Sequence, residues 1–334
     1  MTVAEQSAPT HDELVATYTG GMVPAAQPAF EGSRRLRPDG RPLPEIRSEL
    51  RRIPDLANAL TVSLSIALPI LVVAGVIVVD SWPILFLAVP LMAIAQNRLF
   101  ILHHEAAHRL LFSRRRINDL VGITGIGFAN FGTGTHHYRR GHVNHHRDEF
   151  GPKEPDFILY SFYPITRSSM RRKLRRDAVG ISAWRIVKPR FTGLAKREFV
   201  RLSLRFFAGQ LMVFALFFLA GVPLLYLVLW VLPYATVYQL MNRLRAIAEH
   251  GGMTRSPDRR DTTHHVRQSR WSALLVPMGV GYHIAHHVDS GIPFRNLAKL
   301  HDMLLDDGYI TEDIVWPSYR TLWQALASRS TAAA

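Results

Sequence analysis

Residues 60–79 read Leu60-Thr61-Val62-Ser63-Leu64-Ser65-Ile66-Ala67-Leu68-Pro69-Ile70-Leu71-Val72-Val73-Ala74-Gly75-Val76-Ile77-Val78-Val79, without a single charge. A helix needs ~20 such residues to cross a bilayer. Asp80-Ser81-Trp82-Pro83 then makes a turn, with Trp82 suited to a membrane interface, and 84–102 is a second apolar run. Residues 206–222 and 224–240 form a second pair, turning at Gly221-Val222-Pro223. A soluble protein of 334 residues would struggle to hide four such runs. The expected fold is therefore all-α and integral to the membrane, with four transmembrane helices in two hairpins.

The flanking charges set the expected orientation. The stretch 109–205 carries Arg114-Arg115-Arg116 and Arg171-Arg172-Lys173-Leu174-Arg175-Arg176, whereas the hairpin turns carry only Asp80. By the positive-inside rule this loop and both termini face the cytoplasm. A cytoplasmic helical cap is expected over 103–205 and 241–308, so that the membrane domain covers 57–308. The setting that fits is the inner membrane of a bacterium. Residues 1–56 show no sustained apolar period and are broken by Pro24, Pro28 and Pro38-Asp39-Gly40-Arg41-Pro42-Leu43-Pro44. They read as a flexible cytoplasmic tail ending in a basic piece at 47–52. No short apolar segment follows Met1, so no cleavable signal peptide is expected. Residues 309–334 read as a second tail, with an amphipathic helix over 311–327 built on Ile314, Val315, Leu322 and Leu326. The short apolar pieces 121–131 and 274–280 cannot span and should lie in the interface or tuck against the bundle.

Sixteen histidines and no cysteine shape the chemistry. The absence of cysteine excludes disulfides, thiolate metal sites, cysteine-ligated iron–sulfur clusters and thiol nucleophiles. Metal would be held by nitrogen and oxygen alone. The histidines cluster as His103-His104-Glu105-Ala106-Ala107-His108, as His142-Val143-Asn144-His145-His146 and as His283-Ile284-Ala285-His286-His287. On a helix, the H-x-x-H-H spacing places imidazoles at i, i+3 and i+4, so that three could converge on one point. His250 ends the Leu244-Arg245-Ala246-Ile247-Ala248-Glu249-His250 segment beyond the fourth run and could reach the same centre. His104, His108, His142, His145, His146, His250, His283, His286 and His287 make nine candidate ligands, too many for one metal and suited to two with open positions. Imidazole-rich, redox-active and oxygen-reactive chemistry points to iron. His103, Glu105, His137 and Glu249 are candidates to orient these ligands, Glu249 by accepting from an imidazole. His11 and His301 read as ordinary polar groups; His136, His264 and His265 receive no role. No catalytic side chain apart from the ligands, and no organic cofactor site, is expected.

His104-Glu105-Ala106-Ala107-His108 also matches the zinc-protease H-E-x-x-H spacing. A one-zinc site would leave both H-x-x-H-H clusters without a purpose. The formal charge of +14 implies an acidic partner. Anionic headgroups, an acidic ferredoxin and an acyl carrier's phosphate all suit; nucleic acid does not, because the charges abut membrane runs.

Between about residues 60 and 305 the chain resembles the membrane-bound fatty-acid desaturase and hydroxylase superfamily, whose hallmark is three histidine boxes. The resemblance includes Tyr138-Arg139-Arg140 ahead of the second box, the 245–250 segment ahead of the third, and the tail His286-His287-Val288-Asp289-Ser290-Gly291-Ile292-Pro293-Phe294. Asp289-Ser290-Gly291 departs from the aromatic-proline turn of many relatives, a departure that touches substrate class. The resemblance implies two iron ions, O2 as co-substrate and oxidation of an unactivated methylene. The substrate would be a fatty acyl lipid or an acyl thioester of CoA or carrier protein. Desaturation is the leading outcome; hydroxylation or ketone formation on an alkyl or terpenoid substrate is the alternative. No H-P-G-G haem-binding motif is present, so electrons would come from a separate donor such as a ferredoxin or a reductase.

Overall fold

The computed structural model describes residues 9–25 and 27–330. The described chain is mostly helical, and its strand structure is one parallel pair, His265–Val266 with Val315–Trp316, and an isolated bridge between Leu36 and Pro42. Among the described residues, four helices are long and apolar enough to cross a membrane: Asp55–Val79, Ile84–Ala107, Val200–Leu219 and Pro223–His250. They are the first to fourth spans. Only 17% of the most apolar window of the first span is buried, and Leu64, Ile70, Leu71 and Val78 stand exposed along it. Such a surface is stable only against lipid.

Each span is longer than its apolar run. The second carries on past residue 102 to Ala107, which makes its last turn polar and places His103, His104 and Glu105 on a helix anchored in the bundle. The fourth is broken rather than straight. It starts at Pro223, passes through a π-helical turn at Leu227–Val231, and kinks at Thr236 before Val237–His250. Pro233 has no N–H to give to the preceding turn, which accounts for the irregular hydrogen bonding there. The first hairpin turns at Asp80, whose φ of 42° is left-handed.

The apolar piece 121–131 tucks against the second span as a π-helical stretch, Asp119–Ile126, followed by Gly127–Ala129. Glycine is required there. A Cβ on Gly122 would lie 2.2 Å from Ala106 Cβ, and one on Gly127 would lie 2.5 Å from the His103 ring.

Both tails differ from their expected form. The first eight residues of the N-terminal tail lie outside the described residues. From Thr10 onward the segment is a strap packed on the cap, not a flexible tail. Leu36 and Leu50 are buried in one cluster with Val288, Ile292, Phe294 and Leu297. Arg47 and Arg51 of the basic piece both pair with the buried Asp289, at 2.5 and 2.9 Å. A strap has no periodicity to display because it is held by scattered anchors. The C-terminal segment is also docked. Its helix is Tyr319–Leu326, shorter than expected, and Ile314 and Val315 lie outside it in a turn and a strand. Pro317 forces Trp316 to be extended and so delays the helix. Leu322 and Leu326 pack on Ile247 and Ala248, and Trp323 Nε1 donates to Leu244 O at 2.9 Å, bracing the end of the fourth span.

Candidate metal centre

Four helical segments aim imidazoles at one place: the end of the second span, His137–Arg147, the end of the fourth span, and His283–Val288. Two groups result. His104, His108, His142, His146 and His286 each offer a ring nitrogen within 4.8 Å of the others; His145, His250, His283 and His287 do the same. All nine candidate ligands are included, and no other histidine is. The groups adjoin, with the His146 and His287 rings 4.3 Å apart.

The division corrects the expectation that each H-x-x-H-H box converges on a point. At 100° per residue, i and i+4 lie 40° apart on a helix, whereas i+3 and i+4 lie 100° apart. His142 and His146 therefore serve one group while His145 turns to the other. In the third box His283 and His287 stay together and His286 crosses over. The second and third boxes each feed both groups, with the pairing reversed, while the first box gives His104 and His108 to the group of five alone.

The backs of the rings are held. In the group of four, His145 Nδ1 lies 3.0 Å from both carboxylate oxygens of Glu154, and His250 Nδ1 lies 2.8 Å from Thr262 O. His287 Nδ1 meets Glu149 in a short contact, and His283 Nδ1 sits 3.5 Å from Glu249. A hydrogen bond at Nδ1 fixes the tautomer and presents Nε2 with its lone pair to the centre. Glu149 also pairs with Arg259 at 2.7 Å, and Glu249 lies 3.6 Å from Arg245.

The donors fit metal ions. His286 Nε2, His287 Nε2 and His104 Nδ1 are buried without a hydrogen-bond partner. Elsewhere ring nitrogens face each other, His108 Nε2 and His142 Nε2 at 2.7 Å, His250 Nε2 and His283 Nε2 at 3.1 Å. Burial pulls His108 down to a pKa of about 3. Burial first, and then neighbouring imidazoles, holds His142, His146, His283, His286 and His287 well below the usual histidine range. These rings are neutral at pH 7, the form that ligates metal. His145 is the exception: burial lowers it, but the Glu154 carboxylate outweighs that and the net shift is upward.

The remaining sequence candidates fall elsewhere. His103 belongs to neither group; its Nδ1 bonds Gly122 O at 2.8 Å and its ring packs on Tyr138, which in turn stacks on His142. Glu105 is buried and accepts from Phe294 N at 3.0 Å, tying the second span to the tail of the third box. Its carboxylate belongs to neither imidazole group and is engaged by that backbone N–H, which does not favour a zinc-protease base role. His137 is exposed and touches no ligand, contrary to the orienting role considered for it. His301 and His11 are not plain surface groups: His301 is buried and stacked on His265, and His11 Nε2 contacts Phe150 O. His136 lies beside Arg139, and His264 Nε2 bonds Gly251 O. Glu149 and Glu154 were missed by sequence reasoning. The signal lay in four acids, Asp148, Glu149, Glu154 and Asp156, directly after the second box of an otherwise basic loop.

Two comparisons bear on this arrangement. The model of the family described as fatty acid desaturase matches residues 80–317, from the first hairpin turn to beyond the parallel strand pair. The chain belongs to the fatty acid desaturase family. Among its relatives is the dihydrorhizobitoxine desaturase of Bradyrhizobium elkanii, 29% identical over 267 residues that cover 71% of this chain and 72% of the relative. As a member of the desaturase family and the wider membrane desaturase/hydroxylase superfamily, the chain is a desaturase-like oxidoreductase. The match encloses all four histidine-bearing segments, so the family's matched region and the two imidazole groups coincide.

Proposed function

We propose that this chain is a membrane-bound di-iron enzyme that desaturates a fatty acyl chain with O2 and two external electrons. The observation that carries the reading is the division of nine imidazoles into adjoining groups of five and four. Two ions can be held by nitrogen alone, with Glu149, Glu154 and Glu249 behind the ligands to offset their charge. When bound, the irons supply O2 activation; in balance, –CH2–CH2– with O2, two electrons and two protons gives –CH=CH– and two waters. The protein's part is to hold the ligands, keep water out and position the methylene.

An apolar chain has somewhere to lie. A cavity of about 590 Å³ between the first, second, third and fourth spans is lined by Ile66, Val73, Leu99, Val213, Phe217 and Trp230. Leu99 is one turn before His103, whose ring, with Tyr138, intervenes between this part of the bundle and His142. The acyl group would be delivered as a lipid or as a thioester of CoA or carrier protein, and the electrons by a ferredoxin or a reductase. The metals, both termini and the basic loop would face the cytoplasm of a bacterium.

A second reading keeps the site and changes the product or substrate. The relative named above is a dihydrorhizobitoxine desaturase, which supports weighing a substrate other than a fatty acyl chain. Hydroxylation or ketone formation needs the same ligands. Expression with a working electron donor, followed by mass analysis of lipids and elemental analysis of the purified protein, decides. The expected result is two irons per chain and products lighter by two hydrogens. Gain of one oxygen would select the hydroxylase reading, and one zinc per chain would refute both.

A further inference from the structure

Between the second box and the third span lies a stretch that the metal centre does not use. Helices Arg167–Ala178 and Ile181–Thr192 and a short turn at Gly193–Ala195 connect the cap to the third span. Over residues 167–201 there are twelve Lys and Arg against two acids, and one of those, Asp177, is buried in a pair with Arg243. Ile181, Trp184, Lys188 and Phe191 share one face at i, i+3, i+7 and i+10, while Ala183 and Val187 turn inward against Tyr234. The outward face is strongly apolar: Trp184 is 54% exposed and Phe191 48%, with Ile186, Leu194 and Phe199 exposed beside them.

The apolar strip is not isolated. The Trp184 and Phe191 rings lie 5.7 Å apart, and Phe191 lies 4.9 Å from Phe207 inside the third span. From there it continues into the exposed Leu204, Leu211 and Phe218, the surface the span presents to lipid. Basic side chains on an amphipathic helix that runs into a lipid-facing surface describe an element lying in the plane of the interface. Tryptophan favours that depth, and Lys188 can extend its ammonium to the headgroups from within the apolar face.

We propose that residues 167–199 form an in-plane anchor that seats the cap on an anionic lipid leaflet, with Trp184 and Phe191 in the headgroup–acyl boundary and Arg185 and Lys188 on lipid phosphates. An acidic protein partner would need the charges alone. It would have no use for an aromatic strip merging with a membrane span, so the lipid is the occupant that both features fit.

The chain has no cysteine, so a nitroxide on Trp184→Cys reports from one position. The iron-loaded enzyme is placed in phosphatidylcholine nanodiscs with and without phosphatidylglycerol, with Arg320→Cys on the terminal helix as the water-facing control. The expected label at position 184 is more accessible to oxygen than to a water-soluble nickel chelate, and the control shows the reverse. Arg185→Gln and Lys188→Gln should each lower the ratio of embedded to water-facing label by about fivefold, in phosphatidylglycerol discs only. Unchanged iron content and helicity exclude misfolding, and Phe191→Cys supplies a second reporter. Nickel accessibility at 184 and 191 equal to the control overturns the proposal and leaves the basic face free for an acidic protein. Embedding that ignores phosphatidylglycerol overturns the anionic-lipid assignment.

Discussion

Glu154 shows how much of a candidate metal site can rest on a side chain placed behind a ligand ring. It is fully buried, and both its oxygens lie 3.0 Å from His145 Nδ1. Glu154→Gln keeps the shape but puts a neutral amide, a weaker acceptor whose NH2 can also turn toward the ring, where the carboxylate held His145 Nδ1–H. It should weaken iron binding about 10–100-fold while the protein stays folded, as read by iron titration. His145→Ala should lose activity and most bound iron; full iron occupancy in that variant would remove His145 from the ligand set. Lys173 offers a pH test away from the metals. Burial, then nearby arginines, lowers its pKa to about 8, with its ammonium 4.9 Å over the Tyr163 ring. The unfolded chain keeps this proton up to about 10.4. Between those values the unfolded state binds more protons, so stability rises with pH there. Thermal unfolding scans from pH 7 to 10 should show that rise, and Lys173→Met should flatten it; an unaltered slope would mean the ammonium is solvated.

Among the elements, the N-terminal strap contributes most that was unexpected. Arg47 and Arg51 reach Asp289, two residues past His287, and Gly291 leaves room for the Arg51 guanidinium, which a Cβ would meet at 2.2 Å. The Asp289-Ser290-Gly291 sequence therefore has a structural reason: it is the socket for the strap. Arg47→Ala with Arg51→Ala strands a buried carboxylate. The cost should be about 2 kcal/mol, less than for a wholly buried pair because both arginines are partly exposed. Measured by thermal melting, Asp289→Asn in that background should recover part of the loss, and no recovery would mean the pairing contributes nothing. Neither partner was legible as such, because residues 242 apart in sequence carry no mutual signal.

For the whole molecule, the imidazole cluster and the membrane spans are coupled through the ends of the second and fourth spans, which carry His104 and His250. Stripping metal should leave neutral imidazole nitrogens crowded at about hydrogen-bond distance. Chelation is expected to lower the melting temperature and to open His283–Val288 to hydrogen exchange while the spans stay protected. Uniform protection with and without chelator would argue that the cap is preformed. Sidedness is tested with single cysteines. Ser81→Cys in the first hairpin turn should react with an impermeant maleimide added outside intact cells, and Arg114→Cys only after lysis; the reverse pattern would invert the topology.

The sequence by itself determined the four spans, the helical class and all nine clustered imidazoles. Apolar length and i, i+3, i+4 spacing are local properties, and a helix converts them directly into geometry. Tertiary structure decided how the imidazoles divide, which carboxylates stand behind them, and that residues 10–25 and 27–54 are a strap. It also removed Glu105 and His137 from the site. Those outcomes depend on how one helix is rotated against another and on ion pairs between distant residues, and both are fixed only when the whole chain has packed.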